Sequence, residues 1–174
     1  MNSQMNKRHP LAGKQMTGAE MIVQVLAQEG VDTVFGYSGG AILPTFDAIF
    51  RYNLERESSK DEQMQLIVPA NEQGAGFMAA GYARSSGKVG VFIVTSGPAA
   101  TNSVTPIRDS MADSVPVVLI CGQVARSAIG SDAFQEKPVQ VFDIEMSARF
   151  IKSVESDSFR VEKQPVQIEY NRLK

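Results

Sequence analysis

The run Val89–Val94 is almost continuously apolar, and Val115–Ile120 is a second long run of the same kind. A strand that shows one face to water alternates apolar and polar residues. An unbroken apolar run needs cover on both faces, as in a parallel sheet sandwiched between helices. Before these runs lie shorter strand candidates, Thr33-Val34-Phe35 and Leu66–Val68, and helix-like segments separate all four. This β-α-β-α alternation predicts the α/β class, a three-layer parallel sheet flanked by helices. Strand order does not follow from it.

The helical segments have legible ends. Thr17-Gly18-Ala19-Glu20 has the spacing of a capping box, and Gly30 suits a helix stop. Met21, Ile22, Val25 and Leu26 then form the expected buried face. Ala41–Tyr52 is expected as a helix, with Pro44 tolerated in its first turn. Glu72–Arg84 is a small-residue helix ending near Gly87, and Thr101–Met111 is another. Beyond Cys121 the pattern weakens. Gly122–Gln135 is expected as mostly loop, Val139–Ala148 as a helix and Phe150–Val154 as a strand. Val166–Tyr170 alternates but has no obvious partner.

The totals exclude several functions. The 174 residues fit one domain, and 43% hydrophobic content supplies a core. Net charge is −2, and no basic stripe lies beyond the arm, which argues against nucleic-acid binding. The one cysteine, Cys121, rules out an internal disulfide or a cysteine metal cluster, and reads as a buried structural thiol. The one histidine, His9, lies in the polar arm Met1–Gln15, so a histidine-based triad or zinc site is disfavoured. No apolar run approaches a membrane span. A cytoplasmic protein is the simplest reading, with an organelle-targeting arm second.

Three strand ends carry loops rich in Gly, Ser, Thr or Gln, at 36–40, 95–100 and 121–124. Neither glycine-rich loop fits the dinucleotide or phosphate-loop fingerprint, so tight strand-to-helix turns stand beside a phosphate-cradling role. Glu72 follows the strand Leu66–Val68 and opens a helix. In an open α/β sheet, ligands bind at the carboxyl ends of strands. A carboxylate in such a crevice loses solvation, which favours its neutral form and suits it to proton exchange. The helix macrodipole by itself also accounts for an acid at that position.

Taken together, four ordered blocks resemble the start of the acetolactate synthase catalytic subunit. They are Val31–Pro44, Asn71–Gly76 with Gly81–Arg84, Thr95–Asn102, and Gly122–Val124 followed by Ser127–Glu136. The similarity covers about Met16 to Glu136. It implies a pyrimidine-binding domain of the thiamine-diphosphate enzymes over 16–154, a flexible arm over 1–15 and a diverging tail over 155–174. Glu72 matches the glutamate that bonds the aminopyrimidine nitrogen of thiamine diphosphate and favours the imino tautomer, which takes the thiazolium C2 proton. Pyruvate is then decarboxylated and its two-carbon unit passed to a second 2-oxo acid, in branched-chain amino acid biosynthesis. Gly40 and Gln135 match positions facing the reacting carbons. Pro98, Asn102, Gln123 and Tyr37 match cofactor-side positions, and Phe134 and Ala125 substrate-side ones. No metal ligand is expected here, since Mg²⁺ and FAD are held by other domains in that family.

The resemblance also marks departures. Asn71 stands where the family has His, Ser38 and Ala125 where it has Pro, and Ala99 where it has Gly. Ala99 is expected to narrow its turn, because Ala tolerates positive φ poorly. The family's active site forms between the first domain of one subunit and the third of another. A chain of this length then holds half a site, from a truncated gene product or a split subunit, and alone is inactive. Its partners would be a second copy, or a full-length or complementary subunit. A non-catalytic interaction module, pairing through apolar helices such as Ala75–Ala83, is the alternative; a fragment of another carboligase or decarboxylase of the same cofactor class is a third reading.

Overall fold

The computed structural model describes residues 13–59 and 62–136 in full and the backbone of 166–170. The arm up to residue 12, with His9, lies outside the described residues. So do the helix and strand expected at Val139–Ala148 and Phe150–Val154.

Helix α1 (Gly18–Gln28) starts at the expected capping box. The Thr17 side chain accepts from the Glu20 N–H at 3.2 Å, and the Glu20 carboxylate accepts from the Thr17 N–H at 2.7 Å. Two otherwise orphaned donors are thereby satisfied. Its buried face is Ile22, Val23 and Leu26, whereas Val25 is exposed. The helix is turned so that the stripe i, i+1, i+4 meets the sheet, which corrects the expected face.

The remaining elements run β1 (Thr33–Tyr37), α2 (Leu43–Leu54), β2 (Gln65–Ile67), α3 (Glu72–Ser86), β3 (Gly90–Val94), α4 (Pro98–Asn102), α5 (Val104–Ala112), β4 (Val117–Gly122) and β5 (Val166–Tyr170). The sheet order is β2-β1-β3-β4-β5. The first four strands are parallel, and β5 runs antiparallel to β4 with Ile120 opposite Ile168. The alternating 166–170 segment thus finds its partner at the β4 edge.

Side-chain alternation divides the core in two. Val34, Val91, Ile93 and Ile120 pack against α1 and α2. Phe35, Phe92, Val94, Val117 and Leu119 pack against α3 to α5. Both faces of β3 are therefore covered, which is why its sequence is apolar throughout. The alanines of α3 belong to this core: Ala75, Ala79, Ala80 and Ala83 are buried. That corrects the expectation that Ala75–Ala83 presents a sticky face; its outward apolar residues are Phe77 and Met78.

The expected single helix over Thr101–Met111 is two helices broken at Ser103. Pro106 has no N–H to return to the preceding turn. At the break, the Ser103 hydroxyl donates to the Ala99 carbonyl at 2.9 Å, and its N–H to the Ala99 and Ala100 carbonyls. Ala99 sits in α4, buried and without positive φ; the left-handed residue of that turn is Gly97, at φ 65°. The strain expected at Ala99 is absent.

Asp32 ties α3 to the start of β1. Its carboxylate accepts from Lys88 Nζ, from the Tyr82 hydroxyl at 2.7 Å and from the Thr33 hydroxyl at 2.9 Å. Led by Lys88 and then Tyr82, these donors hold its pKa at about 2, against an ordinary 3.8. The folded value is depressed, so this contribution is complete above 3.8 and disappears as pH falls toward 2. The Lys88–Asp32 pair is 55% and 45% exposed, so solvent screens it at neutral pH. Asp32→Asn should therefore narrow the gap in urea midpoint from the parent chain between pH 5 and pH 2. Parallel midpoint curves across that window would rule out the assignment.

Candidate functional site

Winding reverses between β1 and β3, because β1 leads through α2 to one side and β2 returns through α3 to the other; in open α/β sheets, ligands bind at the carboxyl ends of strands at such a switch point. Three strand-end loops converge there. The Ala41 N–H donates to Thr95 Oγ1 at 3.2 Å, and Gly122 packs on Ala41 with no room for a Cβ. Cys121 is half-buried rather than buried, and its thiol donates to the Thr95 carbonyl at 3.3 Å. Thr95 is the hub of this edge. Sequence reading passed over it, because an isolated Thr after a strand carries no signal of its own.

Glu72 is the first residue of α3. Asn71 caps that helix, its Oδ1 accepting from the Gly74 N–H at 2.8 Å. Asn is a stronger N-cap than most residues, so its presence before Glu72 has a structural cause. Across the same edge, the Asn102 side chain donates to Glu72 Oε2 at 2.9 Å. The two come together because α3 touches α5, the helix that follows Asn102, one turn further on. Gly76 lies four residues after Glu72, and Pro106 four after Asn102. A Cβ on Gly76 would stand 2.5 and 2.6 Å from Pro106, so only glycine permits the approach. The break at Ser103 leaves Asn102 at the end of α4, facing α3.

This pair is open to solvent. Glu72 is half-buried and Asn102 exposed, which corrects the expectation of a dry crevice within this chain. Among the described residues no group bonds Glu72 Oε1. The arrangement is a carboxylate with one oxygen pinned and the other able to meet a ring nitrogen. That donor set fits an aminopyrimidine.

The other expected residues spread along the same edge. Tyr37 ends β1 and is half-exposed; Gly40 is exposed, with open space where a Cβ would be. Pro98 opens α4 at the surface. Gln123 follows β4, and its side-chain oxygen accepts from the Val124 N–H at 2.9 Å. Ala125 is exposed at the start of a 3₁₀ turn over Arg126–Ala128. Phe134 is 88% exposed, so it anchors no core here. Gln135 is half-buried with φ 61°, and its backbone lies against Gly97. No hydrogen bond among the described residues links Tyr37 or Gln135 to Glu72.

A parallel sheet with an amide-pinned carboxylate at its switch-point edge defines an open α/β binding domain. Residues 16–144 match the family described as thiamine pyrophosphate enzyme, N-terminal TPP binding domain, and the chain belongs to it. It is 52% identical over 124 residues to the mitochondrial acetolactate synthase catalytic subunit of Saccharomyces cerevisiae, covering 71% of this chain and 17% of that protein. Against the acetolactate synthase large subunit of Lactococcus lactis it is 50% identical over 123 residues, 71% of this chain and 20% of that one. Against the isozyme 2 large subunit of Escherichia coli the identity is 48% over 124 residues, 71% and 21% respectively. The chain thus matches about a fifth of the length of each of these relatives. It is an N-terminal TPP-binding domain of the acetolactate synthase-like kind.

Proposed function

We infer that this domain supplies the pyrimidine end of a thiamine-diphosphate site in an enzyme that decarboxylates pyruvate and joins the two-carbon unit to a second 2-oxo acid. The observation that carries this is the Glu72–Asn102 bond at the start of α3 and the end of α4, on the carboxyl edge of a parallel sheet. When bound, thiamine diphosphate supplies a nucleophilic thiazolium carbon and an electron sink for decarboxylation. Glu72 holds and exchanges one proton with the aminopyrimidine, and Asn102 fixes which oxygen does so. Pro98, Gln123 and Tyr37 would line the ring. Gly40 and Gln135 stand on the reacting side, with Phe134 and Ala125 toward the approaching 2-oxo acid.

Among the described residues no cluster of His, Cys, Asp or Glu could hold a metal ion. The resemblance to acetolactate synthase is what assigns the diphosphate, its Mg²⁺ and FAD to other regions of such an enzyme. The openness of Glu72 calls for a second surface to exclude water. Phe77 and Met78, 42% and 46% exposed on the helix that Glu72 starts, favour a second copy or a complementary subunit as that surface. Without it, the domain is inactive.

Calorimetric titration of the full chain tests this division of the site. Thiamine and thiamine diphosphate should bind alike, at about 1 mM or weaker, without need of Mg²⁺. Glu72→Ala should abolish both. Tight, Mg²⁺-dependent binding of the diphosphate alone would overturn the reading.

A further inference from the structure

Glu136 closes the last block of the sequence resemblance and is not used by the chemistry above. Its carboxylate is folded back into its own loop. One oxygen accepts from the Gly130 N–H, and the other from the Ala133 N–H at 3.1 Å. Its own N–H donates to the Ala133 carbonyl at 2.8 Å. The loop so closed is conformationally demanding. Gly130 has φ 86°, Asp132 φ 54° and Gln135 φ 61°. Two of these are side-chain-bearing residues in the left-handed region, where they persist only if their surroundings enforce it. The amide of Gly130, then those of Ala133, Ser131 and Asp132, hold the Glu136 carboxyl below the usual carboxylate range.

The loop presses on the cofactor edge at one point. A Cβ on Gly97 would lie 2.8 Å from the Gln135 carbonyl oxygen and 2.9 Å from its Cβ. Gly97 has φ 65° and ψ −120°, a conformation open to glycine. It leads directly into α4, whose last residue bonds Glu72. An unbroken set of contacts therefore runs from Glu136 through Gln135 and Gly97 to the Glu72–Asn102 pair.

We propose that Glu136 is a positioning residue, whose carboxylate anchors the 130–136 loop and so sets where Gln135 stands against Gly97 for the 2-oxo acid substrate. This rests on the proposed function for the substrate, but not for the anchor. The partition is testable with Glu136→Ala and Glu136→Gln, the latter keeping one acceptor oxygen. In the full chain, hydrogen exchange at the Gly130 and Ala133 amides should speed up about tenfold or more in Glu136→Ala and less in Glu136→Gln. Exchange at Phe92 in β3 and the thermal midpoint should stay unchanged. When the chain is assembled with the remaining regions of an acetolactate synthase catalytic subunit, KM for the 2-oxo acid should rise about tenfold, with kcat held within about twofold.

Unchanged loop exchange overturns the anchor. A fall in the thermal midpoint together with faster exchange at Phe92 reduces Glu136 to a general structural role. Faster loop exchange with unchanged KM overturns the positioning role. Glu72→Gln serves as the control. If that variant retains turnover, the functional reading fails, and the exchange data still decide the anchor.

Discussion

Glu72→Gln should remove turnover from the assembled enzyme, a loss of about 10³- to 10⁴-fold, while leaving the domain folded. The substitution is close to isosteric. The Asn102 amide, which donates at 2.9 Å to Oε2, still finds a carbonyl oxygen there. The position opens α3 on the half-buried rim of the sheet, so no core contact is lost. What changes is that a carboxamide cannot take and return a proton. Asn102→Ala should have a smaller effect, a roughly tenfold fall in kcat, since it frees the carboxylate to rotate without removing it. The order of the two effects is the informative result. Retained carboligation by Glu72→Gln would take the residue out of acid-base chemistry. An Asn102 defect larger than that of Glu72 would place the essential contact on the amide instead. Rate measurements, paired with thermal midpoints to confirm folding, decide between them.

Local signals in the sequence were reliable where the cause is local. The capping box at Thr17, the left-handed stop at Gly87 and the start of α3 at Glu72 all depend on a few neighbouring residues. The class followed from the apolar continuity of β3, which only a doubly covered parallel strand satisfies. Signals failed where the cause is tertiary. Val25 faces outward because the rotation of α1 is set by the sheet, not by its own periodicity. The partner of Val166–Tyr170 lies more than forty residues upstream, and no local pattern specifies that pairing. At the site, the position of Glu72 was legible, but its exposure was not. Its bond to Asn102 depends on the Gly76–Pro106 contact, which brings together residues thirty positions apart. The Glu136 anchor was overlooked because an acid beside a loop ordinarily points to water.

Gly90→Ala should strongly destabilise the sheet, and it should displace the helix that carries Glu72 as well. A Cβ at this position would meet the carbonyl carbon of Ala79 at 2.7 Å and its Cα at 3.2 Å. These are main-chain atoms of α3, so no rotamer change relieves the overlap. Ala79 is fully buried between Ala75 and Ala83, which belong with β3 to the same core cluster. Either β3 shifts, breaking the Gly90–Pro116 bond at 3.0 Å that opens its pairing with β4, or α3 lifts off the sheet. Overpacking of this kind costs about 3 kcal/mol. For a domain of this size that corresponds to a fall in melting temperature of roughly 6–12 °C. If α3 lifts, Glu72 moves with it, and thiamine binding weakens beyond what the stability loss alone explains. Gly81→Ala is the matched control on the same helix, because Gly81 faces open space with nothing within 4 Å of a Cβ. There alanine should stabilise by about 0.5–1 kcal/mol through its better helix propensity. Equal effects of the two substitutions would show that the close approach of α3 to β3 does not set the position of the carboxylate.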